Sequence, residues 1–209
     1  MDIAIPIFDK VTALDAVGPY EVLSRLPGAA VTFVAIEPGP KRTETGMLAL
    51  VADRALGDLP HPDVVVVPGG FGTRALITDE RILAWLREAN AHSSWTTSVC
   101  TGSLLLAAAG ILDGLEATTH WLAMDELAEQ GATPVSRRIV EQGKVMTAAG
   151  VSAGIDMALL LASRIAGEKV ARAIQLGIEY DPDPPFAGGS LESSPPEIVE
   201  LVRRHRELS

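Results

Sequence analysis

The sequence contains a single cysteine among 209 residues, which excludes an internal disulfide bridge. A chain without disulfides does not need an oxidising compartment in order to fold. Its first ten residues, MDIAIPIFDK, lack both the basic segment and the small-residue cleavage site of a secretory signal peptide. We therefore expect a cytoplasmic protein.

Aromatic residues and long apolar runs are also scarce. Phe, Trp and Tyr together make up 4% of the chain, so the core has to be built from Ala, Val, Leu and Ile. The richest apolar run, residues 104–112, is much shorter than the roughly 20 residues needed to cross a bilayer. No membrane partner is expected.

Positive charge is in short supply. Seventeen Lys and Arg residues stand against 27 Asp and Glu residues, which gives a net charge of −10. Such a surface repels the phosphates of nucleic acids and of anionic membranes. The remaining composition, 47% hydrophobic and 21% charged, is ordinary for a globular protein, and the length fits one domain over residues 1–209.

The order of apolar segments predicts an α/β fold. Apolar runs that end in Pro, Gly or small residues predict buried strands at residues 3–8, 31–36, 63–70 and 94–99, with a shorter one at 116–120. Helical spacing predicts helices at residues 14–26, where Pro19 indicates the start of the helix proper, and at 78–89, 103–109, 121–130 and 155–165. Alternation of this kind predicts a mainly parallel sheet with helices on both faces. Two further runs around Gln142-Gly143 predict a hairpin.

The single cysteine lies where a predicted strand meets a predicted helix. Cys100 follows Val99 and precedes the small residues Thr101 and Gly102. This order is typical of a nucleophile elbow, a tight strand-to-helix turn. A thiol at a helix N-terminus is expected to have a lowered pKa, and the Thr101 amide is expected to point towards an oxyanion. The alternative is that Cys100 is simply a small buried hydrophobic residue.

Two other segments offer partners for this thiol. The loop VPGGFG, residues 67–72, follows a neighbouring predicted strand, and Gly69 and Gly70 could supply a second anion-binding amide. A plain tight turn is the alternative. His120 ends a predicted strand and is the histidine best placed to line the site. No group of His, Cys, Asp and Glu shows metal-ligand spacing in the sequence, so no metal is expected.

Asp15 is the candidate acid. It lies among apolar residues in the segment TALDAVGPYEVL, just before or within a predicted helix. Burial would raise its pKa and allow it to carry a proton to a substrate or to share one with sulfur. The alternative is a carboxylate that caps the first turn of the helix.

Taken together, the segments LDAVGPYEVL, VVVVPGGFG and SVCTGSLLLAAAGILDG resemble the PfpI/ThiJ superfamily from residue 1 to about Tyr180. The segments ATTHW, VMTAAGVSAGIDMALLL and IQLGIEYDPDPPF are similar to its isonitrile hydratase branch and to the sensor domains of some AraC-type regulators. The PfpI-type proteases carry histidine directly after the cysteine, whereas this chain has Thr101. That departure disfavours a Cys-His peptidase.

The resemblance implies a flavodoxin-like three-layer sandwich, as in class I glutamine amidotransferases, and a homodimer. It implies that Cys100 is the nucleophile, Asp15 the acid and Thr101 a further catalytic residue, with the Gly70 amide helping to bind an anion. The implied reaction adds water to an isonitrile through a thioimidate and yields an N-substituted formamide without a cofactor. Two other functions stay open: a stand-alone ligand sensor, and a redox or stress-response protein whose Cys100 is oxidised.

Overall fold

The structure is a computed structural model that describes the backbone of residues 1–207 and the side chains of residues 1–204. Its strands are β1 (Asp2–Pro6), β2 (Ala30–Ala35), β3 (Gly39–Arg42), β4 (Ala49–Ala52), β5 (Arg54–Ala55), β6 (Val64–Val67), β7 (Trp95–Val99), β8 (Glu116–Ala117), β9 (Thr133–Pro134), β10 (Ile139–Gln142) and β11 (Val145–Ala148). Its α-helices are α1 (Ala13–Leu23), α2 (Thr73–Leu76), α3 (Glu80–His92), α4 (Gly102–Ala108), α5 (Met124–Glu129), α6 (Ala153–Ala166), α7 (Glu168–Gly177) and α8 (Pro196–Glu207).

Within the described residues, seven strands form the central sheet in the order β10-β11-β7-β6-β1-β2-β5. Every neighbouring pair is parallel except β10 and β11, which form the hairpin predicted around Gln142-Gly143. Gly143 has a φ of +61°, a conformation that favours glycine. The prediction of a mainly parallel α/β fold is confirmed.

Side chains on the two faces of the sheet form two separate apolar cores. Ile3 and Ile5 of β1 face one core, with residues of α1, α6 and α7, whereas Ala4 faces the other, with residues of α3 and α4. The alternation follows from the two-residue period of a strand. Helices therefore cover both faces, which gives the expected three-layer flavodoxin-like sandwich.

Helix α1 differs from its prediction. Pro19 lies inside the helix, which begins six residues earlier at Ala13, so the expected start near Pro19 is wrong. Proline is disfavoured in a helix interior because it removes a backbone hydrogen bond. Here α1 is buried against α6: a Cβ added to Gly18 would lie 3.1 Å from Ile155, and one added to Gly154 would lie 3.3 Å from Pro19. This packing outweighs the local preference.

The predicted strand at residues 116–120 is also shorter than expected. Only Glu116 and Ala117 are extended, in β8, which pairs with β9 in a small separate sheet. Thr118 and Thr119 are instead buried in an irregular segment, where their polar groups bond to neighbouring strands and turns. A further hairpin, β3–β4, has no counterpart in the sequence predictions.

The chain divides into two compact units, Met1–Ile178 and Glu179–Ser209. The first contains the sheet and helices α1 to α7. The second contains a Pro-, Gly- and Ser-rich segment and α8, in which Arg204 lies 3.8 Å from Glu200. A single domain over residues 1–209 stays a prediction. Across the described part of the chain, no helix combines the length and apolar character required for a bilayer span.

Candidate active site

Cys100 lies in a tight turn at the carboxyl end of β7. Its φ is +55°, in the left-handed region that residues with a side chain rarely adopt. The Cys100 amide donates hydrogen bonds to the carbonyls of Ala148 and Ala149, 3.1 and 3.0 Å away, at the end of the adjacent strand β11. Such strain persists only where surrounding contacts hold it, and it is concentrated at functional sites.

The sulfur of Cys100 is surrounded by groups with opposing effects. The residue is only 5% exposed. The nearby backbone amides of Thr101 and Val151 lower the pKa of Cys100 and favour the thiolate. Burial and the negative charge of Asp15 disfavour it more strongly, so the pKa of Cys100 lies well above that of a free thiol. This direction is opposite to the one expected from the sequence.

Asp15 is fully buried in the first turn of α1. Its Oδ2 accepts a hydrogen bond from the Gly69 amide at 2.9 Å, and its carboxyl group interacts with the Cys100 thiol. Oδ1 is buried and accepts no hydrogen bond of normal geometry from a described residue. Burial raises the pKa of Asp15 to about 7, and the charge of Glu44 acts in the same direction. Asp15 can therefore take up and release a proton near neutral pH.

Thr101 and Gly70 bind each other. The Gly70 amide donates to Thr101 Oγ1 at 2.9 Å, and the same hydroxyl contacts the Gly70 carbonyl at 3.2 Å. The sequence led us to expect that the Gly70 amide would bind an anion. In the structure this amide binds the Thr101 side chain, and anion binding by Gly70 stays a prediction.

Gly69 allows the loop after β6 to approach the two reactive groups. A Cβ added to Gly69 would lie 2.5 Å from the Thr101 nitrogen and 2.9 Å from Asp15 Oδ2. Both distances are shorter than van der Waals contact, so only glycine fits here. Gly70 has a φ of +133°, which also favours glycine. The glycine loop therefore positions Asp15 and Thr101.

His120 lies beside the segment that supplies the Val151 amide. Its ring Cδ2 is 2.7 Å from the position that a Cβ on Gly150 would take. Its Nδ1 accepts a hydrogen bond from the Leu122 amide at 3.3 Å, which places the proton of a neutral ring on Nε2. The histidine is half-buried and stacks on Trp121.

Two contributors were not identified from the sequence. Val151 has a φ of +25°, and its amide favours the thiolate of Cys100. The Thr119 hydroxyl donates to the Cys100 carbonyl at 2.9 Å and so helps to hold the strained turn. Val151 follows β11, which pairs with β7 so that Ala148 lies opposite Val99. The rule that sites form at the carboxyl ends of parallel strands could have located it.

A cavity of about 500 Å³ lies near the same end of the sheet. Phe8, Lys10, Lys41, Phe71 and Arg74 are among its lining residues, whereas Cys100 and Asp15 are not. Since Cys100 is only 5% exposed and Asp15 is fully buried, the thiol and the carboxyl group form a separate, nearly closed site.

This site holds two proton carriers in direct interaction. One negative charge shared by Cys100 and Asp15 can reside on the carboxylate with a protonated thiol, or on sulfur with a protonated carboxyl group. The first form predominates because the carboxyl group has the lower pKa. Moving the proton to Asp15 creates a nucleophile and an acid in one step, which is what addition to an electrophilic carbon requires.

Comparison with known proteins identifies the family. The family model described as "DJ-1/PfpI family" matches residues 1–164. An isonitrile hydratase of Pseudomonas putida is 43% identical over 204 residues, which are 98% of this chain and 89% of that protein. The HTH-type transcriptional regulator CdhR of Pseudomonas aeruginosa is 31% identical over 171 residues, and the match spans 80% of this chain but only half of the regulator.

Solved structures agree with this assignment. A THiJ/PfpI family protein from Pseudomonas syringae superposes with a TM-score of 0.92 at 38% identity, covering 97% of this chain and 86% of that one. Drosophila melanogaster DJ-1beta shares the fold, with a TM-score of 0.79 at 20% identity over 87% of this chain and 98% of that one. The resemblance inferred from the sequence is confirmed, and the chain belongs to the DJ-1/PfpI family.

Proposed function

We propose that this protein is an isonitrile hydratase, which adds water to R–N≡C to give the formamide R–NH–CHO. The observation that carries the proposal is the buried pair of Cys100 and Asp15, whose carboxyl group has a pKa of about 7 beside the thiol. The 43% identity to the isonitrile hydratase of Pseudomonas putida supports the choice of substrate class.

In the first half of the reaction, the isonitrile carbon receives a proton and a sulfur atom. The Cys100 proton passes to the Asp15 carboxylate and from there to the terminal carbon, which is carbene-like. The sulfur electron pair forms the S–C bond, and one C–N π pair becomes the nitrogen lone pair. The product is a neutral thioimidate, Cys100–S–CH=N–R, and Asp15 is again a carboxylate.

In the second half, water replaces sulfur. Asp15 takes a proton from water as the oxygen attacks the thioimidate carbon, and it returns that proton to nitrogen. The tetrahedral intermediate then expels sulfur, and the remaining hydroxyl proton returns to Cys100 by way of Asp15. One water is consumed, the formamide is released, and no cofactor takes part in these steps.

The surrounding contacts have positioning roles in this scheme. The amides of Thr101 and Val151 stabilise negative charge on sulfur both before attack and when the thioimidate breaks down. Gly69 orients the Asp15 carboxyl group, and Gly70 fixes the Thr101 side chain. We propose that His120 contacts the substrate, because it lies next to Gly150 in the segment that leads to Val151.

Formamide production tests the proposal. Purified protein is incubated with a panel of alkyl and aryl isonitriles, and the N-substituted formamide is followed by NMR. We expect turnover by the wild type and none by Cys100→Ala, in which the nucleophile is missing and the small buried side chain keeps the fold. Turnover by Cys100→Ala at the wild-type rate would refute the mechanism.

We also propose that the enzyme is a cytoplasmic homodimer, as the sequence led us to expect. Light scattering should give twice the chain mass of 22.0 kDa. A mass equal to one chain would contradict the dimer.

A ligand sensor is the second candidate, favoured by the match to half of the regulator CdhR. In that case, isonitriles or related small molecules would bind saturably without formamide release. The redox alternative predicts selective oxidation of Cys100 by peroxide, seen by mass spectrometry, in a protein with no hydratase activity.

A further inference from the structure

A group of metal-ligand side chains lies at the opposite end of the sheet from Cys100. His61, Glu88 and His92 each place one ligand atom within 4.8 Å of those of the other two. His61 precedes β6 and His92 precedes β7, so the group lies at the amino ends of these parallel strands. Cys100 follows the carboxyl end of β7, about 16 Å away along a five-residue strand.

The interatomic distances approach those of a metal site. His61 Nε2 is 2.9 Å from Glu88 Oε1, and His92 Nδ1 is 3.4 Å from the same oxygen. Two ligand atoms about 2.1 Å from a tetrahedral zinc ion lie about 3.4 Å apart. Of the three pairs of ligand atoms, His92–Glu88 already has this separation, His61–Glu88 has to widen by about 0.5 Å, and His61–His92 lies within 4.8 Å. All three side chains are about half exposed and have room to make this shift.

The three residues are held near each other without a metal. Glu88 and His92 are one turn apart on α3 and therefore share a helix face. His61 lies between Pro60 and Pro62, which restrict its backbone. The loop containing His61 is tied to α3 by the Trp85 indole, which donates a hydrogen bond to the Leu59 carbonyl at 3.1 Å.

The two imidazole rings also contact each other. The centroids of His61 and His92 are 4.0 Å apart, with an interplanar angle of 34°. A metal ion would bind these rings through the lone pairs of their neutral forms. Metal binding through His92 Nδ1 replaces that atom's 3.0 Å hydrogen bond to the Glu88 carbonyl, so coordination has to offset this loss.

The donor set indicates which ions fit. Two imidazoles and one carboxylate suit borderline divalent ions such as Zn²⁺, Co²⁺ and Ni²⁺, whereas Mg²⁺ prefers oxygen ligands. Water can complete the coordination sphere because the group faces solvent. The net charge of −10 also attracts cations to the protein.

We propose that His61, Glu88 and His92 form a binding site for one Zn²⁺ ion, separate from the Cys100–Asp15 site, that links the loop before β6 to the end of α3. Bound metal would stabilise this edge of the molecule because it binds the folded chain, in which the three ligands are together.

The test is calorimetric titration of Zn²⁺ into the full-length, chelator-treated protein. We expect one site in the wild type and binding weakened at least about tenfold in His61→Ala, His92→Ala and Glu88→Gln. Loss of a group that only supports a metal ligand lowers metal affinity by about 10- to 100-fold, so loss of a ligand itself should weaken binding at least as much. Glu80→Gln is the matched control because Glu80 is an exposed carboxylate on the same helix that pairs with Arg87.

Cys100→Ala distinguishes this site from the reactive thiol, which could itself bind zinc. The proposed site predicts that Cys100→Ala binds Zn²⁺ as the wild type does, and that zinc raises Tm in both proteins but not in His61→Ala. Mg²⁺ should produce neither effect. No zinc binding by the wild type, equal binding by the histidine variants, or binding lost only in Cys100→Ala would each overturn the proposal. All of these outcomes are measured as zinc binding or Tm, so they do not depend on whether the protein hydrates isonitriles.

Discussion

Replacing Asp15 by asparagine tests the proposed roles of the carboxyl group in proton transfer and of the thiol in nucleophilic attack. The amide has the shape of the carboxyl group, and its oxygen can still accept the 2.9 Å hydrogen bond from Gly69. The substitution removes the charge and the proton that the mechanism transfers. Turnover and thiol reactivity are therefore expected to change in opposite directions.

The size of each effect follows from the geometry. Loss of a general acid–base group lowers turnover by about 10²- to 10⁴-fold. A unit charge at about 4 Å, in an effective dielectric of about 20, disfavours a thiolate by about 4 kcal/mol. Removing the Asp15 charge should therefore lower the Cys100 pKa by up to about three. Burial still holds that pKa above the value of a free thiol.

Two assays on the same protein separate these effects. Formamide production measures turnover, and the rate of iodoacetamide alkylation at pH 8 measures the thiolate population. We expect Asp15→Asn to lose turnover while Cys100 alkylates at least about tenfold faster than in the wild type. Asp113→Asn, at an exposed position, serves as the control for both assays. Slower alkylation together with lost turnover would refute the reasoning, because the equilibrium thiolate population would then be larger with the Asp15 charge than without it.

Three further predictions follow from the same site. Burial raises the pKa of Asp15 to about 7, so its contribution to stability is present in acid and is lost as the pH rises from about 4 to 7, by at most about 4 kcal/mol. We therefore expect Asp15→Asn to have a higher Tm than the wild type at pH 8 but not at pH 4. An equal difference in Tm at both pH values would contradict this expectation. Gly69→Ala should lower both turnover and Tm, because its Cβ would lie 2.5 Å from the Thr101 nitrogen, whereas Gly57→Ala, with no atom within 4 Å, should change neither. Thr101→Val should lower the free energy of unfolding by about 1–3 kcal/mol because it leaves the buried Gly70 amide without its acceptor. Thr101→Ser keeps the hydroxyl, so denaturant unfolding should show a free energy close to that of the wild type.

Much of the architecture could be predicted because it depends on short segments. Valine-rich runs such as Val64–Val67 form buried strands, and Gly143 occupies the hairpin turn for which its conformation is suited. The start of α1 could not be predicted in this way. Proline has a local preference for a helix start, but burial of α1 against α6 outweighed that preference at Pro19.

The proximity of two candidate residues could be predicted from the sequence, but the electrostatics of the candidate site could not. Cys100 and Asp15 were both identified from their surroundings in the sequence, and the structure places them together. The expected lowering of the thiol pKa was based on the helix that follows Cys100. Burial, together with the charge of Asp15, reverses that direction, and both depend on residues distant in the sequence.

The sequence by itself determined the alternation of buried strands with helices and the turn at which Cys100 follows a strand, because both depend on residues adjacent in the chain. Only the tertiary structure decided which groups the Gly69 and Gly70 amides bind. It also brought His61 within 2.9 Å of Glu88, a residue 27 positions away. Hydrogen-bond partners and pKa values depend on distance and burial in space, and these are set by packing between segments that are far apart in the sequence.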